Sequence, residues 1–269
     1  LNSATNGLVN FRKGVTDLEG ILSGKTIIVM GVANKNSIAW GCTQAIINQG
    51  GRVILTYQND RIKKSLSKFV APDVPLVECD VAEDENIEAA FDKIKAEYGE
   101  VDGIIHAIAF ADKETLEGGV INTKKAGYNL AQDVSAYSLV AVSRYGAKIM
   151  KNSGSIVTLT YFGSTRAIPN YNMMGIAKAA LESSVRYLAS DLGEQHIRVN
   201  AISAGAIKTL AVTGIKKHRD LLKESQSRTV DGENVTTDEV GNVAAFLVSD
   251  LATGVTGDVI YVDKGVHLV

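Results

Sequence analysis

A single α/β domain, built on a doubly wound parallel sheet with helices on both faces, is the fold class this sequence predicts. Three observations predict it. Short apolar, β-branched runs alternate with amphipathic segments, the pattern of repeated strand-helix-strand units. The first such run ends in a glycine-containing turn that leads directly into a helix. The chain has 269 residues, 45% of them apolar, and only three prolines, Pro72, Pro75 and Pro169, so it can bury a large core and has no proline-rich linker to divide it.

The elements follow in order. Residues 25–31 (KTIIVMG) form a continuous apolar run, as expected of a strand buried on both faces. Residues 37–49 read as a helix opened by a serine, 52–57 as the second strand and 75–79 as the third. A helix is expected over 84–98, a fourth strand over 102–107, a long helix over 126–150, a fifth strand over 155–160 and another long helix over 171–192. Residues 198–202 and 258–262 complete the sheet. Residues 1–23 have no apolar block and do not resemble a secretory signal; they read as a leader or appended segment, with the domain spanning 24–269.

Composition narrows the function. Lys and Arg number 28 against 30 Asp and Glu, a net charge of -2 that offers nothing to a phosphate backbone, so nucleic acid is not an expected partner. No apolar stretch reaches the roughly 20 residues of a membrane span. The two cysteines, Cys42 and Cys79, and the four histidines, His106, His196, His218 and His267, show no disulfide or metal-ligand spacing. A reducing, cytoplasmic setting and no metal are the expectations.

In a doubly wound sheet, ligands bind at the carboxyl ends of the strands, so the residues after each strand are where chemistry is expected. Residues 31–41 read GVANKNSIAWG, a strand end, turn and helix start whose free N–H groups and dipole suit a pyrophosphate, although the pattern is not GxGxxG. Ser37 has two readings here, helix cap and phosphate ligand. After the second strand, Gln58 can hydrogen-bond ribose hydroxyls but offers no cation to a 2′-phosphate, and Arg61, Lys63 and Lys64 come later, on an expected helix face. NADH is therefore favoured over NADPH. Asp80 and Val81 follow the third strand and read either as an adenine contact or as a plain strand-to-helix turn.

Tyr171 and Lys178 stand seven positions apart, two helical turns and so one helix face, separated by roughly 10.5 Å of rise. Tyr161, ten positions before Tyr171, follows the fifth strand and opens at the same edge. Two phenols, an ammonium and a nucleotide loop on one face suit hydride transfer with a proton donor better than acyl hydrolysis. No serine elbow, HExxH or kinase loop competes.

In this order over about residues 24–269, the segments GVANKNSIAWG, TYQNDR, CDVAED, HAIAFA, the Tyr161 segment, NYNMMGIAK, RVNAISAGAIKTLA and VGNVAAFLVSDLATGVTGDVIYVD resemble the enoyl-[acyl-carrier-protein] reductases of bacterial fatty-acid synthesis. These form a divergent branch of the short-chain dehydrogenase/reductase superfamily, with a Rossmann-type sheet. Ordinary members carry Tyr and Lys four apart, whereas the enoyl reductases, like this chain, have them seven apart. The ordinary asparagine after the fourth strand is also missing, replaced by Ala107-Ile108-Ala109.

The resemblance implies that NADH delivers hydride to Cβ of a trans-2-enoyl thioester, leaving enolate charge on the thioester oxygen. It implies that Tyr171 stabilises that oxygen and that Lys178 holds the ribose hydroxyls. Tyr161 either shapes the pocket or assists protonation, and the proton donor to Cα stays open. By the same resemblance Gly31, Ser37, Ile38, Gln58, Asp80, Val81, Ile108, Lys178, Ile207, Lys208, Thr209, Leu210 and Ala211 line the cofactor, and Ala111, Tyr161 and Tyr171 the substrate. It further implies an acyl carrier protein as partner, a homotetramer, and a substrate loop over about 204–227.

Ala206 stands where the family commonly has proline, which predicts a more mobile loop. Lys216 and Arg219 are candidates for attracting an acidic carrier protein, a solvated helix face being the plainer reading. Residues 230–233 and Lys264 also depart from the family pattern, with surface or subunit packing as the expected consequence. Two rival functions remain at this point, an ordinary short-chain ketoreductase and a dinucleotide sensor without turnover.

Overall fold

The run Thr-Ile-Ile-Val-Met has no polar face, and the fold uses both of its sides. In the computed structural model, which describes residues 20–209 and 218–268, it forms β1 (Thr26–Met30), with every residue buried. Seven parallel strands are found among the described residues: β1, β2 (Arg52–Tyr57), β3 (Leu76–Glu78), β4 (Val101–His106), β5 (Met150–Thr160), β6 (Ile197–Ala204) and β7 (Val259–Val262). Their order across the sheet is β3-β2-β1-β4-β5-β6-β7, so the chain reverses direction between β1 and β4. That reversal opens a crevice at the strand ends, the place where an α/β sheet binds ligands.

Alternation along β1 sorts its side chains into two cores. Ile28 and Met30 face α3 (Asp84–Tyr98), α6 (Ser138–Ala147) and α7 (Asn172–Leu192), packing with Phe91, Leu139 and Leu181. Ile27 and Val29 face α1 (Ile38–Asn48) and α9 (Thr237–Val248), packing with Cys42, Ile46 and Val240. The shorter helices α2 (Asp60–Leu66), α4 (Lys113–Leu116) and α5 (Lys125–Gln132) carry connections, and α8 (His218–Arg228) lies between β6 and α9 in the chain.

Helices α1 and α9 meet backbone to backbone. A Cβ on Gly41 would lie 2.3 Å from the Thr237 carbonyl oxygen, and one on Gly241 would lie 2.4 Å from the Gly41 oxygen. Gly41, which closes the segment read as a phosphate loop, therefore serves helix packing.

The strands fall where the alternation places them, and the differences lie in the helices and at the start of the domain. The helix expected over 126–150 is broken into α5 and α6 by a π-helical turn, Asp133–Tyr137, and ends earlier because Met150 pairs with Val101 as the start of a longer β5. α9 was not anticipated; its start is a capping box in which Thr236 Oγ1 accepts from the Glu239 N–H and the Glu239 carboxylate accepts from the Thr236 N–H. The packed structure also reaches back past residue 24, since Leu22 is fully buried and its N–H donates to the Gln49 carbonyl at 3.0 Å.

Candidate active site

β5 delivers three consecutive residues to the crevice. The Leu159 carbonyl accepts a 2.7 Å hydrogen bond from Lys178 Nζ, the Thr160 hydroxyl donates to Glu182 Oε1 at 2.6 Å, and Tyr161 follows as the chain leaves the sheet. Tyr171 is the residue before α7, and Lys178 lies two turns along that helix. Asn170 and Asn172 on either side of Tyr171 have φ values of 61° and 34°, the left-handed region that asparagine tolerates better than most residues. Asn172 Nδ2 donates to the carbonyls of Leu116 and Gly118 at 3.0 and 2.9 Å, which ties this turn to α4.

The phenols of Tyr161 and Tyr171 meet edge to face, with ring centroids 5.0 Å apart. Burial pushes the Tyr161 hydroxyl up to about 12 and that of Tyr171 higher still, so both are neutral hydrogen-bond donors at neutral pH. Burial acts oppositely on Lys178, pulling its ammonium down to about 8 while the Glu182 carboxylate pulls it back up. Among the described residues neither phenol hydroxyl has a hydrogen-bond partner, and Lys178 shares only one of its three N–H groups.

The β4 end forms the other wall. His106 is fully buried, with Nδ1 3.0 Å from Thr158 Oγ1 and Nε2 2.9 Å from Ser138 Oγ. Ser138 Oγ donates to the Val134 carbonyl at 2.7 Å, and Thr158 Oγ1 donates to the His106 carbonyl at 3.1 Å. Burial and the Lys178 charge hold His106 down to about 3, so it is neutral. Ser135, in the π-helical turn, accepts from the Phe110 N–H at 2.9 Å and donates to the Phe110 carbonyl at 2.8 Å. This clamps the segment that carries Ile108 and Ala111, both half-buried.

After β1, Gly31 adopts a φ of +95°, and a Cβ there would lie 2.1 Å from the Ala107 carbonyl oxygen, so glycine is required where β1 passes β4. Ser37 is the N-cap of α1: its hydroxyl accepts from the Trp40 N–H at 3.3 Å and donates to the Asn34 carbonyl at 2.8 Å. The N–H groups of Ile38 and Ala39 have no acceptor among the described residues. Gln58 Nε2 lies 3.3 Å from the Asp80 carboxylate, placing negative charge beside the end of β2. Lys63 folds back over the Tyr57 ring, 5.4 Å from its centroid. The Val81 side chain packs into the core under α3.

The comparisons with known proteins decide the family. Residues 31–267 match the family model for enoyl-(acyl carrier protein) reductase. The chain is 60% identical over 247 residues to the NADH-dependent enoyl-[acyl-carrier-protein] reductase of Enterococcus faecalis, covering 92% of this chain and 99% of the relative. This chain belongs to the enoyl-[acyl-carrier-protein] reductase family. An NADPH-dependent member from Staphylococcus aureus is 45% identical over 252 residues, 92% of this chain and 98% of that protein. Among solved family structures, the Bacillus cereus reductase with NADP+ and indole naphthyridinone superposes with a TM-score of 0.89 at 45% identity, covering 93% of this chain and 99% of that one. The Anaplasma phagocytophilum reductase in complex with NAD does so with 0.89 at 40% identity, covering 93% and 96%.

The residues present fit the nicotinamide dinucleotide that the family implies. The two amides at the start of α1 and the two lysine N–H groups that have no partner among the described residues suit a pyrophosphate and ribose hydroxyls respectively. The Asp80 carboxylate beside Gln58 disfavours an added 2′-phosphate by simple charge repulsion, which agrees with NADH. Of the remaining segment, Ile207 is half-buried, Lys208 exposed and Thr209 buried; Leu210, Ala211, Lys216 and the side chain of Arg219 lie outside the described residues, as does much of the loop expected to respond to Ala206. Ala206 itself is buried.

Sequence reading missed Thr160, Glu182, His106, Ser135 and Asn172. His106 shows no ligand spacing in the sequence, and its place under the crevice depends on the β4-β5 pairing of His106 with Thr158. For Glu182 a local signal existed: it is four residues, one turn, beyond Lys178 and shares its face.

Proposed function

We propose that this chain reduces the trans-2 double bond of an enoyl thioester carried by acyl carrier protein, using NADH, with Tyr171, Lys178 and Tyr161 as the working residues. The observation that carries the reading is the buried Lys178, bonded to Leu159 with its other donors unshared among the described residues, two turns along the helix from a neutral phenol that has no hydrogen-bond partner among them. When bound, NADH supplies the hydride for Cβ. Tyr171 then donates a hydrogen bond to the thioester oxygen as enolate charge develops there, an interaction worth more in a water-poor pocket than in solvent. Lys178 holds the ribose hydroxyls and adds positive charge to the same site. Tyr161, packed edge-on against Tyr171 and Phe162, shapes the pocket; a cavity of about 260 Å³ lined by Tyr161, Phe162, Pro169 and Arg228 lies against it.

The decisive experiment follows NADH consumption with crotonyl and longer trans-2-enoyl thioesters, with acetoacetyl thioester as comparison. Consumption with the enoyl substrates and little with acetoacetyl is expected. Preference for acetoacetyl would make the protein a ketoreductase, and tight NADH binding without turnover a sensor. Two further readings complete the proposal. The family resemblance supports assembly into a homotetramer, which a monomeric mass in sedimentation equilibrium would refute. Free, buried Cys42 and Cys79, together with the lack of any membrane-spanning helix among the described residues, support a cytoplasmic location, to be checked by fractionation.

A further inference from the structure

Glu182 is a carboxylate in the wrong surroundings for a merely structural side chain. It is 9% exposed, in a helix packed against the sheet, and its one hydrogen bond among the described residues is the 2.6 Å bond from Thr160. A buried carboxylate costs stability unless a positive charge offsets it. The charge available is Lys178, one helical turn earlier. The two groups make no contact ion pair within 4.0 Å; instead each is bonded to a neighbouring residue of β5, Lys178 to the Leu159 carbonyl and Glu182 to the Thr160 hydroxyl. The next residue of that strand end is Tyr161. The register of α7 against β5 thus ties the carboxylate and the ammonium, one helical turn apart, to neighbouring strand residues and not to each other, and among the described residues the ammonium's remaining donors stay unshared.

We propose that Glu182, locked by Thr160, is the positioning counter-ion of Lys178, keeping the lysine charged in a buried site without occupying the N–H groups that grip the ribose. The inference rests on the reductase reading above, in which Lys178 binds cofactor. The titratable groups around the lysine leave this role to Glu182. His106, facing it from β4, is held neutral by burial, and Tyr161 and Tyr171, at the end of β5 and the head of α7, are neutral phenols. Glu182 opposes the effect of burial on Lys178 and also favours the protonated form of Tyr171. One carboxylate therefore biases both groups toward the protonation states the proposed chemistry needs.

The test is the pH dependence of NADH affinity, measured by fluorescence titration between about pH 6 and pH 10 on the full chain, the Glu182→Gln variant and the Thr160→Val variant. Glutamine keeps an acceptor for Thr160 and loses only the charge; valine keeps the shape of threonine and releases the carboxylate. In the unaltered protein, affinity should fall as pH rises through about 8, where Lys178 loses its proton. In Glu182→Gln the fall should begin about one pH unit lower, so that the affinity loss relative to the unaltered protein grows to about tenfold across the alkaline range. Thr160→Val should move in the same direction by less.

An alkaline limb that stays in place in both variants, with affinity unchanged or reduced by one factor at every pH, would overturn the proposal in favour of a purely structural bolt between α7 and β5. If the glutamine variant does not fold, Thr160→Val decides by the same criterion. Failure of the underlying reading looks different: the unaltered protein would not turn over enoyl thioesters with NADH at all.

Discussion

At the scale of single residues, burial sets which protons the site can offer. Tyr171 is held neutral by its surroundings and has no hydrogen-bond partner for its hydroxyl among the described residues, which suits the donor role proposed for it. Tyr171→Phe should lower kcat by about 10²–10³-fold, the usual cost of one oxyanion donor, while NADH affinity changes by about twofold or less. Stopped-flow turnover set beside cofactor titration separates the two effects. His106 makes a different prediction. Its folded-state value is held down to about 3, below the ordinary 6.5, so on acidification the unfolded chain takes up a proton that the folded chain refuses. Stability from this residue is therefore complete above about pH 6.5 and lost progressively toward pH 3, at about 1.4 kcal/mol per pH unit. Urea unfolding should show a loss between pH 7 and pH 5 of about 2 kcal/mol attributable to His106, which a His106→Gln variant lacks.

At the scale of elements, the crevice is assembled by close contacts that leave no room for a larger side chain. Gly41 and Gly241 let α1 and α9 touch through their backbones, and this contact supports the helix whose first amides are the proposed pyrophosphate donors. Gly241→Ala would thrust a methyl against the Gly41 carbonyl, which cannot swing aside as a side-chain end could. The expected loss is about 1–3 kcal/mol, read as a lower urea midpoint, accompanied by weaker NADH binding because α1 must shift. Here the limits of local pattern are plain. Gly41 belongs to a segment whose place between the first strand and the first helix suggested phosphate binding, and its partner lies 200 positions away in a helix that the alternation of strands and helices did not reveal. The π-helical turn was equally illegible, because the periodicity of residues 126–150 is that of an uninterrupted helix; the turn exists where Ser135 reaches the backbone of Phe110 from a separate loop.

For the molecule as a whole, the parallel sheet brings the ends of β1, β4 and β5 to one edge, and that juxtaposition turns three separate sequence signals into one site. The glycine turn after β1, the alanine-rich segment after β4 and the Tyr161 segment after β5 are far apart in the chain, yet each follows a neighbouring strand. Right-handed crossovers leave little freedom in how consecutive strands and helices can be arranged, which is why a list of elements was enough to anticipate a doubly wound sheet with its site at the strand ends.

What the chain determined locally was the run of strands and helices, the cap at Ser37, the spacing of Tyr171 from Lys178 and the family that these motifs carry, because each depends on residues within a few turns of one another. What the tertiary structure alone decided was the company those residues keep: Thr160 with Glu182, His106 with Thr158 and Ser138, Ser135 with Phe110, Gly41 with Gly241. Those pairings form when elements distant in the chain pack face to face and exclude water. Charge, proton affinity and tolerance for a methyl group at these positions follow from that packing, and no periodicity in the sequence encodes it.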